Sequence, residues 1–106
     1  MSTLNWSSAE KKIAKQAYDA ALKREYAALL QQLKDSAEKA NSRDDIWDIY
    51  DHLTKQRKSI DQRYDYRYSQ LIFVFGILLR QKWLEESDLE GLAEDKLQLI
   101  RAFANG

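Results

Sequence analysis

A chain of 106 residues with no proline, and with its three glycines (Gly76, Gly91 and Gly106) confined to the last third, holds almost nothing that stops a helix. Proline removes a backbone donor and clashes with the preceding turn, and glycine inside a helix costs about 1 kcal/mol relative to alanine. Ala, Leu, Lys, Gln, Glu and Arg fill much of the remainder, and all of them favour the helical backbone. The expected fold class is therefore all-α: a long-helix hairpin with a short C-terminal helical head, within a single domain spanning 1–106.

Polar caps place the helices. Ser7-Ser8-Ala9-Glu10 reads as a capping box, in which a Ser hydroxyl and a Glu three residues on satisfy each other's backbone donors. A first helix follows, over about 8–40, with Tyr18, Leu22, Tyr26, Leu29, Leu33 and Ala40 along one face. At ~1.5 Å per residue it is ~48 Å long, more than a compact chain with a radius of gyration near ~13 Å can cover. A second copy of the chain is the simplest source of the missing cover. Asn41-Ser42 forms the turn, and Ser42 with Asp45 makes a weaker box for the next helix.

That second stretch, 43–83, is either continuous or broken near Tyr64–Ser69, where Tyr64, Tyr66 and Tyr68 alternate at a β-like spacing within helical flanks. Ser87-Asp88-Leu89-Glu90 is a third box. It predicts a last helix over 88–104 with Leu89, Leu92, Lys96, Leu99, Ile100 and Phe103 at helical spacing. The longest apolar run, Leu71 to Leu79, is about half the ~20 residues of a membrane span, so it is read as a buried helix and no integral membrane segment is expected. The opening MSTLNWSSAEKK has no apolar core and reads as neither signal nor transit peptide. The stripes on the first two helices make an antiparallel hairpin, and doubling it gives a bundle-like dimer.

Arg57 is the residue out of place. With each residue advancing by about 100°, Ile46, Ile49, Tyr50, Leu53, Ile60 and Tyr64 gather into one apolar stripe, and Arg57 falls within about 20° of Ile46. An unpaired charge there is expensive, so it needs either a partner or a special surface. Trp47 sits at the edge of the stripe with Asp51 one turn further on. Asp51 and Arg57 are about 120° apart around the helix, so a pair between them is most natural across two chains. The alternative is that Arg57 snorkels to water with its methylenes beside Leu53. Trp and Arg are the side chains most enriched at binding hot spots, which favours an interface. The expected dimer seam comprises Ile46, Leu53 and Arg57 on the second helix with Leu29 and Leu33 on the first.

No catalytic set emerges. Seventeen basic and seventeen acidic side chains cancel, which leaves no net field for nucleic acid. Lys58, Arg63 and Arg67 interleave with tyrosines, but Asp61 and Asp65 neutralise the patch. His52 is the only histidine, and there is no cysteine, so thiolate chemistry, disulfides and the usual zinc sites are excluded. A disulfide-free small chain also points to an intracellular home. The acid pairs Asp44/Asp45, Asp48/Asp51 and Glu85/Glu86 read as solvated surface or as complements to helix dipoles. Phe73 and Phe75 read as core by periodicity alone.

The stretch DDIWDIYDHLTKQRKSIDQRYDYR followed by LIFVFGILL resembles the fluorescence recovery protein family of cyanobacteria, and the similarity continues through EESDLEGLAEDK into the last helix. It covers 44–103 closely and the first helix more loosely. The resemblance implies an all-helical homodimer, not an enzyme, with no cofactor of its own. It implies binding to the photoactivated red form of the orange carotenoid protein, mainly through that protein's C-terminal domain. Return to the orange form is accelerated and release from the phycobilisome assisted, ending non-photochemical quenching. The implied location is cytoplasmic and peripheral to thylakoid membranes. The implied partner-binding residues are Trp47, Tyr50, Asp51, Arg57 and Phe73. Tyr50 stands where the best-known members carry His, and Leu99 where they carry a functional Lys, with Lys96 and Arg101 nearby. A reading from another class is a purely structural helical dimer or assembly adaptor built on the same bundle.

Overall fold

The computed structural model describes residues 5–106, and no strand occurs among them. Helix α1 (Ser8–Lys39) is followed by α2 (Arg43–Arg63), α3 (Leu71–Arg80) and α4 (Glu94–Asn105), with one turn of 3-10 helix at Glu86–Leu89. The first four residues of the segment read as neither signal nor transit peptide lie outside the described residues.

Side-chain caps start the first two helices. The Ser7 hydroxyl accepts the Glu10 N–H at 3.1 Å, and the Glu10 carboxylate accepts the Ser7 N–H at 3.0 Å. Ser42 accepts the Asp45 N–H at 3.2 Å, while Asp45 reaches one residue further back and accepts the Asn41 N–H at 2.9 Å. Helix α2 then stops at Arg63, so residues 43–83 form two helices. Neither proline nor glycine causes the break. Residues 64–67 leave the helix and place alternate tyrosines on one side, where Tyr64 and Tyr66 meet the Tyr18 ring with centroids 5.4 and 4.7 Å away. Tyr68 continues the cluster to Trp6 at 5.7 Å. A helix would have turned the Tyr66 ring to the face opposite Tyr64 and Tyr68, so aromatic packing outweighs the helical propensity of the flanks.

The last helix begins later than expected. Ser87–Glu90 belongs to the 3-10 turn and its exit, not to the start of a helix at 88. The Asp88 carboxylate accepts the Glu85 N–H at 2.8 Å and a forked pair of bonds from Arg24 at 2.8 and 3.1 Å, which closes the turn on itself. Gly91 follows with φ 101°, a left-handed conformation, and α4 starts only at Glu94. Lys82, with φ 67°, ends α3 in a Schellman motif: its N–H and that of Trp83 bond to Leu79 O and Leu78 O. A non-glycine residue there costs on the order of 1 kcal/mol.

The core lies in the head. Ala14, Ala17 and Ala21 on the first half of α1 present a low surface to Leu71, Val74, Phe75 and Leu78 of α3, with Leu84, Leu89, Leu92 and Ile100 closing around them. Helices α3 and α4 cross closely at Gly76, where any Cβ would lie 2.6 Å from the Phe103 Cβ. One buried ion pair ties the start of α1 to α4. Glu10 accepts from Lys96 Nζ at 3.2 Å and from the Ala93 N–H at 2.9 Å, and Lys96 also lies over the Trp6 ring at 5.2 Å. Lys96 thus occupies an apolar stripe position because its charge is neutralised there.

Burial stops abruptly outside the head. Glu25 is the last buried residue of α1 and Ile60 the first of α2, and nothing between them is buried. The remainder of the two helices projects as a bare hairpin. The molecule is accordingly 54 × 26 × 24 Å with a radius of gyration of 16.8 Å.

The Ala93 and Ser7 backbone donors, with Lys96 assisting, hold the Glu10 carboxyl at about 2 in place of 4.5. A depressed carboxylate stabilises the fold fully above its unfolded pKa and ceases to do so as pH falls through the folded one. Denaturant titrations of the wild type should therefore lose stability between about pH 4.5 and 2. In Glu10→Gln that pH dependence should flatten, and neutral-pH stability should drop by about 3 kcal/mol because Lys96 is left buried without its counter-charge.

Candidate functional site

The apolar stripe of α2 divides lengthwise into two. Ile49, Leu53, Gln56 and Ile60 lie within about 60° of one another around the helix and are half-buried or buried. They face α1 of the same chain: Leu33, Ile49 and Leu53 line one open pocket of about 290 Å³, and Leu29, Gln56 and Ile60 line the next along the groove. The other half of the stripe has no cover. Ile46, Tyr50 and Trp47 are exposed, Trp47 at 61%, and they continue from the covered half by a further 100° or so around the helix.

Helix α1 repeats the division. Leu29 and Leu33 turn toward α2, while Tyr26 and Leu30 are exposed. On both helices the exposed residues are rotated in the same sense from the line of contact. In an antiparallel pair of right-handed helices, equal senses of rotation bring the two strips to the same side of the hairpin. The result is one broad face carrying Tyr26, Leu30, Ile46, Trp47 and Tyr50. Trp47 and Tyr50 are in edge-on contact with ring centroids 6.1 Å apart.

Arg57 lies on this face, between Ile46 and Tyr50 in angle, and its side chain is 82% exposed. Its nearest acid is Asp61, one turn away at 4.0 Å, itself exposed. Such a pair contributes little in water, so the guanidinium keeps most of its donors for another group. Asp51 is also exposed, at the margin beside Trp47. Within one chain Arg57 is thus a solvated charge embedded in apolar surface. His52 lies on the groove side, with Nε2 3.3 Å from the Gln32 oxygen of α1.

A second apolar patch lies on the head. Phe73 and Ile77 are exposed one turn apart on α3, and Leu99 and Phe103 are exposed one turn apart on α4. The Phe73 and Phe103 rings join the two pairs, with centroids 4.1 Å apart. Phe73 is therefore a surface residue, contrary to its periodicity-based reading as core. The sequence carried a signal: LIFVFGILL is apolar all the way round, and a ten-residue helix on a small head leaves one face out. Leu99 has no free cation beside it on α4. Lys96 is buried against Glu10, and Arg101 is held by Glu86 and Glu94.

Where burial ends, at the junction of head and hairpin, sits a polar cluster that periodicity did not single out. The Glu25 carboxylate, 7% exposed, accepts from both terminal nitrogens of Arg63, and from the Tyr64 hydroxyl at 3.0 Å. Burial and the neighbouring Glu25 together push the Tyr64 hydroxyl well above its ordinary pKa, so it remains a donor at any physiological pH. Among the described residues, no three His, Asp or Glu side chains are gathered as a metal site would require, and no helix is long and apolar enough to cross a membrane.

Comparison with known proteins identifies a family. Residues 6–104 match the family described as photoprotection regulator fluorescence recovery protein. The chain is 37% identical over 99 residues to the fluorescence recovery protein of Synechocystis sp., covering 93% of this chain and 91% of that protein. The solved structure of the fluorescence recovery protein from Fremyella diplosiphon superposes with a TM-score of 0.91 at 39% identity, over 96% of this chain and all of that one. The corresponding Synechocystis structure gives 0.92 at 36% identity with the same coverage.

Proposed function

This chain belongs to the fluorescence recovery protein family of photoprotection regulators, and from that premise we propose that it acts on a photoactivated orange carotenoid protein. The family is one of photoprotection regulators, which supports a regulatory role. In this reading the chain grips the C-terminal domain of the red form, accelerates its return to the orange form and assists its release from the phycobilisome, so that non-photochemical quenching ends. The observation that carries the reading is the uncovered hairpin face, where Trp47, Tyr50 and Arg57 stand exposed along a segment with no buried residue.

The same face serves the homodimer. A two-helix hairpin with only half its apolar stripe covered is marginal in water. A second copy docked on Ile46 and Arg57 supplies the missing burial, with Leu53, Leu29 and Leu33 packing the groove directly behind. Asp51 of one chain is then the counter-charge available to Arg57 of the other. A charged pair in the seam makes the dimer specific without making it maximally tight. Partner binding therefore competes with self-association for one surface and loosens the dimer.

Acceleration has a thermodynamic requirement. The partner's two domains are apart in its active state and must meet again. A helper that holds one and presents a second contact to the other lowers the entropic part of that barrier. It must bind the rearrangement's transition state more tightly than the separated state, and it must not hold the resting product. The head patch at Phe73 is the second contact.

Two experiments test this reading. Absorbance of an illuminated orange carotenoid protein, followed in the dark with and without this chain, should show faster red-to-orange reversion. Arg57→Leu should retain full helicity and equal or greater stability while reversion slows toward the unassisted rate. No acceleration by the wild type with any orange carotenoid protein would leave the structural adaptor as the reading. Separately, Ile46→Glu should halve the mass measured by size-exclusion with light scattering, because a carboxylate then lies within the apolar seam. An unchanged mass would move the seam elsewhere.

A further inference from the structure

We propose that Glu25 and Arg63 are positioning residues that fix the rotation of α2 on α1, and so the direction in which the hairpin face points relative to the head patch. The inference rests on the proposed function only in taking both surfaces to contact one partner.

The location of the pair is the first reason. Glu25 is the last buried residue of α1, and Arg63 ends α2 just beyond Ile60, so the cluster sits where the core ends and the bare hairpin begins. It is also the point where three elements are tied together. Arg63 donates through its fork to Glu25 on α1, through Nε to the Ser59 hydroxyl on α2 at 3.4 Å, and through Nη1 to Gln81 at the end of α3 at 2.9 Å. Tyr64, the first residue beyond α2, adds the third bond to the same carboxylate. Elsewhere in the hairpin the roll of α2 along α1 is opposed by the shallow groove, whose apolar contact is non-directional, and by the exposed His52–Gln32 contact at 3.3 Å.

The energetics supply the second reason. A buried carboxylate and a partly buried guanidinium give up much of their hydration, and a well-packed apolar pair at the same positions is often as stable or more so. Stability therefore does not account for placing ions here. A bidentate Arg–carboxylate fork does supply what an apolar pair lacks, a fixed distance and a fixed plane. A roll of α2 by one side chain's width would change the direction in which Trp47, Tyr50 and Arg57 face relative to Phe73 on the head.

The chain contains no cysteine, so spin labels can be placed uniquely at Lys55→Cys on α2 and Gln98→Cys on α4, both exposed and off the two apolar patches. Labelled chains are diluted into an excess of unlabelled chain of the same sequence, so that the dipolar distance is read within one protomer. In the double variant Glu25→Met/Arg63→Met, helicity and melting temperature should equal or exceed wild type. The label-to-label distance distribution should nevertheless broaden or shift, and acceleration of reversion should fall about tenfold. Arg63→Lys keeps the charge and loses the fork; it should widen the distribution in the same direction and decides the matter if the double variant does not fold. A wild-type distance distribution in a folded variant overturns the proposal, as does a changed distribution with undiminished acceleration. Should the wild-type chain itself fail to accelerate reversion, the functional reading falls, while the distance distributions still decide whether the pair sets the hairpin.

Discussion

Hydrophobic burial in this molecule ends at Glu25 on one helix and Ile60 on the other, and that boundary organises everything else. On the head side, alanines on α1 let α3 and the loops approach, Gly76 lets α4 cross α3, and a buried Glu10–Lys96 pair locks the two ends of the chain together. On the hairpin side there are two helices with one shared groove and no interior. Helices of this length draw most of their stability from tertiary packing, so the second region depends on whatever docks against it. A fold divided in this way has a part with its own core and a part whose apolar surface is left open.

The incompleteness is what suits the hairpin to regulation. A face that must be covered to be stable, yet carries Arg57 and Asp51 within and beside it, favours a partner that is specific and exchangeable over one that is permanent. Membership of a family of photoprotection regulators gives that surface a biological setting, since a regulator has to let go. The head patch around Phe73 and Phe103 offers a second apolar contact on a part of the molecule that does not itself need covering to fold.

Much of this could be read from the residues, and the exceptions share a cause. Helix starts at Ser7 and Ser42 were legible because a cap is a local interaction, spelled out within four residues. The Ser87 box misled because Asp88, inside it, caps the turn that starts at Glu85 and is held there by Arg24 from a distant helix, and no local rule anticipates a long-range partner. The break after Arg63 was half legible: the alternating tyrosines were visible, but their receptor Tyr18 lies on another helix. Arg57 was visible as an anomaly in the stripe. Periodicity could not show that the stripe is wider than one neighbouring helix can cover, so that only half of it is core. Phe73 was hidden for a related reason, since an all-apolar run gives no contrast between its faces. Glu25 and Arg63 were the least legible, being ordinary helix-surface residue types brought together only by the hairpin's closure.

The central claim is that the head has its own core while the hairpin borrows one. Amide hydrogen exchange followed residue by residue through a dilution series, with mass measured in parallel, tests it most directly. Protection in α3 and in the core-facing turn of α4 should be independent of concentration. Protection in α2 between residues 43 and 59 should fall as the mass drops to that of one chain. A hairpin as well protected as the head at concentrations where only single chains remain would contradict the account.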